Sequence, residues 1–87
     1  MALSHQAIYG RLKRVLAEIT DVDTSKLKAH MELEVSPLGF TSKGKRALAS
    51  SLNSEFAAEH LALSREQTEA AKFVRDLHDL IYAQIGG

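Results

Sequence analysis

Apolar residues Ile8, Leu12, Val15, Leu16 and Ile19 recur at the three-and-four spacing of one helix face, while Arg11, Lys13, Arg14 and Glu18 fall elsewhere around the wheel. The pattern predicts an amphipathic first helix with Ser4 as its N-cap. Gly10 inside it reads as a tolerated defect that costs about 1 kcal/mol relative to Ala. From Thr20 to Thr41 no period holds. Turn residues Asp21, Asp23, Thr24, Ser25, Ser36, Pro37 and Gly39 are scattered among apolar Val22, Leu27, Met31, Leu33, Val35, Leu38 and Phe40. Long connections without regular structure are uncommon in compact domains unless they are functional or packed down by their own side chains. Here the apolar residues supply the anchors. A short helical turn is expected around Ser25 to Ala29, capped by Asp23 or Thr24 and pinned to the core by Leu27.

A second helix is expected from about Ser42 to Glu59, with Leu48, Ala49, Leu52 and Phe56 as a narrow apolar stripe. Its first turn carries Lys43, Lys45 and Arg46 at the end where the helix dipole disfavours cations. Helix stability therefore does not explain them, and they read either as a solvated face or as a binding surface. His60, Leu61, Ala62 and Leu63 form a connector, after which Ser64 with Gln67 fits a capping box. Phe73, Val74, Leu77, Leu80, Ile81 and Ile85 give the strongest period in the chain and end before Gly86, a helix stop. Periodicity alone leaves open whether Ser64 to Ile85 is one helix or two. With no repeat and no strand pattern, the predicted class is all-α.

Eighty-seven residues suit one domain, spanning 1–87, with a core of modest size. A 45% hydrophobic content with one Pro and five Gly argues against a disordered chain. Eleven basic residues balance eleven acidic ones, whereas a dedicated nucleic-acid binder usually carries a strongly basic excess. The absence of cysteine removes disulfides and thiolate metal sites and suits a reducing compartment. There is no uninterrupted apolar run long enough to span a bilayer. These features predict a cytoplasmic protein that does not insert into membranes; Met1 with its short leader predicts a free-standing protein and not an excised module, and a monomer is expected.

Candidate chemistry concentrates at the second helix's start. Gly39 to Lys45 reads G-x-x-x-x-G-K, but Arg46 stands where a phosphate-binding loop needs Ser or Thr, and no strand precedes it. His5, His30, His60 and His78 lie in different segments without paired ligand spacing, so no metal site is expected. His78 reads as a polar residue beside the last helix's stripe. Nothing supplies the geometry of a Ser-His-Asp triad. A helix-turn-helix reader could draw phosphate contacts from Lys43, Lys45 and Arg46, but the exposed face lacks side chains suited to base edges. Ser42 remains as a hydroxyl where unpaired backbone N–H groups and the positive dipole end favour an attached or bound anion. A plain N-capping Ser is the competing explanation.

Leu38-Gly39-Phe40-Thr41-Ser42-Lys43 resembles the Leu-Gly-x-Asp-Ser-Leu motif of acyl carrier proteins, and the likeness extends over nearly the whole chain. Thr41 stands for the family's Asp and Lys43 for its Leu. The resemblance implies a small four-helix bundle with a long loop between helices 1 and 2, a short third helix at about Ser64 to Ala70, and a fourth at about Ala71 to Ile85. It implies that Ser42 receives 4′-phosphopantetheine from coenzyme A and that the protein is a carrier of thioester-linked acyl groups, not an enzyme, in a specialised fatty-acid, lipid or polyketide-type pathway. Its partners would be a phosphopantetheinyl transferase and acyl-loading, condensing or acyl-transferring enzymes, with no nucleic acid. Thr41, Lys43, Lys45 and Arg46 would serve partner recognition. Leu48, Leu52, Phe56, Phe73, Leu77, Leu80 and Ile81 would line a space for the acyl chain. An unmodified helical interaction module of the same fold is the alternative.

Overall fold

The computed structural model describes residues 2–87. Helix α1 spans His5–Thr20, α2 Ser42–Glu55, α3 Arg65–Ala70 and α4 Val74–Ile85, with 3₁₀ turns at Thr24–Lys26 and Ala57–Glu59. Extended pairing among the described residues is limited to two isolated bridges, Leu3 with Gly86 and Glu32 with Phe73. The class is all-α.

Ser4 caps α1 by accepting the Ala7 N–H at 3.1 Å. Asp21 ends it in a left-handed conformation, φ 61°, and donates its own N–H to Ala17. Ile8, Leu12, Val15 and Leu16 are buried, but Ile19 is 49% exposed. Periodicity placed Ile19 on the buried face. In the structure the last turn of α1 instead flanks an open groove, and Ile19 lines it together with Leu38, Phe40 and Ala47.

Asp23 caps the first 3₁₀ turn, where its carboxylate accepts from the backbone N–H and the hydroxyl of Ser25, both at 3.0 Å. These bonds, the backbone one foremost, hold its carboxyl below the usual range. The turn is shorter than the expected Ser25 to Ala29, and Leu27 just after it is fully buried. Further on, the connection is tied to remote backbone. Leu33 N–H donates to Lys72 at 2.8 Å, Val74 N–H to Met31 at 3.0 Å, and Arg75 N–H to Ala29 at 2.9 Å. Such bonds satisfy main-chain groups that a loop crossing the core would otherwise leave unpaired.

Helix α2 stops at Glu55, four residues before the expected Glu59. Phe56 leaves helical geometry, the chain tightens into the second 3₁₀ turn, and His60 adopts φ 63°. The early stop turns the chain so that Leu61 and Leu63 join the core. Both bonds of the Ser64–Gln67 capping box are present on α3. The chain then leaves helix conformation at Ala71 and enters α4 at Val74, where Asp76 accepts the Lys72 and Phe73 N–H groups at 2.9 Å. Pairing of residues 72 and 73 with the long connection is what divides the two helices. α3 packs chiefly on α2, and α4 on α1.

Ile8, Leu12, Leu16, Leu27, Leu33, Leu52, Phe56, Val74, Leu77 and Ile81 have no exposed surface. Leu48 is buried with them, whereas Phe73 and Leu80, expected in the same lining, are only half-buried. Phe73 occupies the N-cap position of α4 with the Arg75 guanidinium 4.8 Å from its ring centre. Leu80 borders a surface depression beside Ala70, Ala71 and Ala83. No helix of the described residues is long and apolar enough to cross a membrane.

Candidate functional site at the start of helix α2

The junction is assembled from the end of the long connection. Leu38 and Phe40 are buried, and Phe40 N–H donates to Leu33 at 2.8 Å, so the chain approaches α2 along a fixed path. Between them Gly39 takes φ 60°, a left-handed conformation that glycine adopts without steric cost. Gly44 lets Phe40 and Thr41 close over the first turn, because a Cβ there would lie 3.3 Å from the Phe40 ring and 3.4 Å from Thr41 Oγ1.

Thr41, not Ser42, is the N-cap. Its backbone is extended, its Oγ1 accepts the Gly44 N–H at 3.0 Å, and its carbonyl accepts the Lys45 N–H at 2.9 Å. Ser42 is the first helical residue and is exposed. Capping therefore leaves the Ser42 hydroxyl uncommitted, while the Ser42 and Lys43 N–H groups keep the unpaired state of a helix's first turn. The competing explanation of Ser42 as a structural cap is removed, since its neighbour performs that task.

The three cations of the first turn have different fates. Lys43 is exposed and enters no ion pair among the described residues. Lys45 is only 4% exposed. Its Nζ donates to the carbonyl of Ala71 at 2.9 Å and lies 3.2 Å from Glu34 Oε2. Arg46 pairs with Glu69 at 2.9 Å across the α2–α3 flank. The expectation that all three would face a partner is corrected at Lys45, which is turned into the fold, while Arg46 remains partly exposed in its pair with Glu69. Phosphate contacts by a helix-turn-helix reader lose Lys45. Acceptors for a buried ammonium are needed because an unpaired buried charge is expensive, yet no local pattern pointed to Glu34 or the Ala71 carbonyl.

At 3.6 residues per turn, Arg46 and Asn53 share the flank of Ser42, while Gly44, Ala47 and Ser51 fall on the opposite side. Arg46 bonds Glu69 and Asn53 bonds Leu63 on the first of these flanks. On the other lies the open groove, about 430 Å³, between α2, the end of α1 and the long connection.

A second side-chain cluster was not legible in the sequence. His78 is buried with its Nε2 3.0 Å from His5 Nδ1 and its Nδ1 2.9 Å from Asp79. Tyr9 stacks on His78 and Tyr82 on His5, each at 4.1 Å between ring centres. Burial foremost, followed by the Asp79 carboxylate, raises the Tyr9 phenol above its ordinary range. Among the described residues no group of three or more His, Cys, Asp or Glu side chains is arranged to hold a metal ion. The cluster joins the start of α1 to α4.

Neither the models of known protein families nor the curated proteins include a match to this chain.

Proposed function

We propose that the protein is a divergent acyl carrier, with Ser42 as the attachment point for 4′-phosphopantetheine. The reading is carried by one observation: Thr41 takes over the capping of α2 and leaves Ser42 exposed with a free hydroxyl. The helix order supports a bundle of acyl-carrier type, with α3 the shortest element and residues 21–41 between α1 and α2. Attachment would join Ser42 Oγ to the β-phosphorus of coenzyme A, break the phosphoanhydride bond and release adenosine 3′,5′-bisphosphate, the hydroxyl proton passing to a base of the transferase. The phosphodiester formed there would face the first-turn N–H groups and the positive end of α2, which favour an anion. The arm supplies a thiol that holds an acyl group as a thioester. The protein contributes an anchoring hydroxyl, a rigid loop-to-helix junction and, in Lys43, a cation in solvent for partner recognition.

The test is intact mass after incubation with coenzyme A and a phosphopantetheinyl transferase. The wild type is expected to gain one phosphopantetheine, and Ser42→Ala to fold with an unchanged melting temperature and gain none. A wild type that no transferase modifies would instead be an unmodified helical interaction module.

A further inference from the structure

The flank of α2 that carries Ser42 is the one that faces α3, so a chain that leaves Ser42 and enters the core on that flank takes a path between these two helices. Two side chains cross it. Lys45 lies almost wholly inside, its ammonium donating to the Ala71 carbonyl just past the end of α3 and reaching Glu34 from the long connection. One turn away from Ser42, Arg46 is paired to Glu69. In the core cluster Leu52, Leu77 and Ile81 have no exposed surface.

We propose that Lys45 bars this cleft and so determines the cargo: the carrier holds short or polar acyl groups outside its helices and does not take a long saturated chain into its core. The inference rests on the carrier reading above. An alkyl chain entering beside α2 would have to part the ammonium from its acceptors, and a buried charge left without partners opposes that exchange strongly. A short or oxygen-bearing acyl group tolerates water and needs no such shelter. On this proposal Leu48, Leu52, Phe56, Phe73, Leu77, Leu80 and Ile81, expected to line a space for the acyl chain, do not receive it.

The experiment loads wild type and Lys45→Met from acyl-coenzyme A of increasing length, acetyl to hexadecanoyl, with a phosphopantetheinyl transferase. Met keeps an unbranched stem of similar reach and removes the charge. Loading is verified by intact mass, and melting temperature and thioester cleavage by hydroxylamine are then measured. In wild type neither is expected to change with chain length. In Lys45→Met the melting temperature is expected to rise with length by about 4 °C or more, as added methylenes leave water, and cleavage to slow in parallel. If Lys45→Met does not fold, Lys45→Gln, uncharged and shorter, takes its place. A stepwise rise in wild type overturns the proposal, and so does a flat series in both proteins. Failure of the wild type to gain any cofactor mass is a different result: it overturns the carrier reading itself, and this inference with it.

Discussion

At the scale of single residues, the junction depends on which of two adjacent hydroxyls does the capping. The sequence offered Ser42 as the candidate cap, but the backbone puts Thr41 in the extended conformation from which Oγ1 reaches the Gly44 N–H. Thr41→Ala should therefore cost about 1 kcal/mol, a fall in melting temperature of roughly 4–8 °C for a domain of this size. Thr41→Ser should retain most of it. Thermal unfolding followed by circular dichroism distinguishes the two variants. Lys45 shows the opposite limit of legibility. A cation in the first turn of a helix reads as surface, yet this one is buried because Ala71 and Glu34 offer acceptors at its tip. Neither acceptor is near it in the chain.

At the scale of elements, caps, stripes and the stop of α4 at Ile85 before Gly86 were legible, whereas the end of α2 was not. Ser4, Ser64 and Gln67 act as the local pattern predicts, since a helix start is decided by donors and acceptors within three residues of each other. The ends of α2 and α3 depend on what the chain must reach next. The union of α1 and α2 is similarly nonlocal. Glu55 accepts from Arg11 Nε at 2.9 Å and Arg14 at 2.8 Å, and the Arg11 guanidinium lies 4.3 Å from the Phe56 ring centre. The hydrogen bond from Arg11, with the charge of Arg14, holds the Glu55 carboxyl below its usual range against the effect of burial. A carboxylate depressed in the folded state contributes stability that is present above the unfolded value of about 4.3 and is lost as pH falls through the folded one. Acidification below about pH 5 should therefore lower the melting temperature, and Glu55→Gln should flatten that slope while lowering stability at neutral pH. Equal slopes in the two proteins would show that the tie does not titrate with folding.

At the scale of the whole molecule, one apolar cluster draws side chains from α1, the long connection, α2 and α4. Burial grades its members. Leu52→Ala should cost about 2–5 kcal/mol as a core deletion, whereas Leu80→Ala, at a half-buried position beside a surface depression, should cost less; urea denaturation compares them. The sequence by itself determined the all-α class, most of the buried stripe, the caps of α1 and α3, and the hydroxyl at the head of α2. These follow from helical periodicity and from hydrogen bonds that close within a turn. Tertiary structure alone decided that Ile19 borders a groove, that α4 begins at Val74 and not at Ala71, that Lys45 spans 26 residues to Ala71, and that His5 meets His78 across 73. Each of those outcomes depends on the nearness of groups distant in sequence. A periodic pattern specifies which face of a helix is apolar, but not which remote donor or acceptor the packing will bring against it.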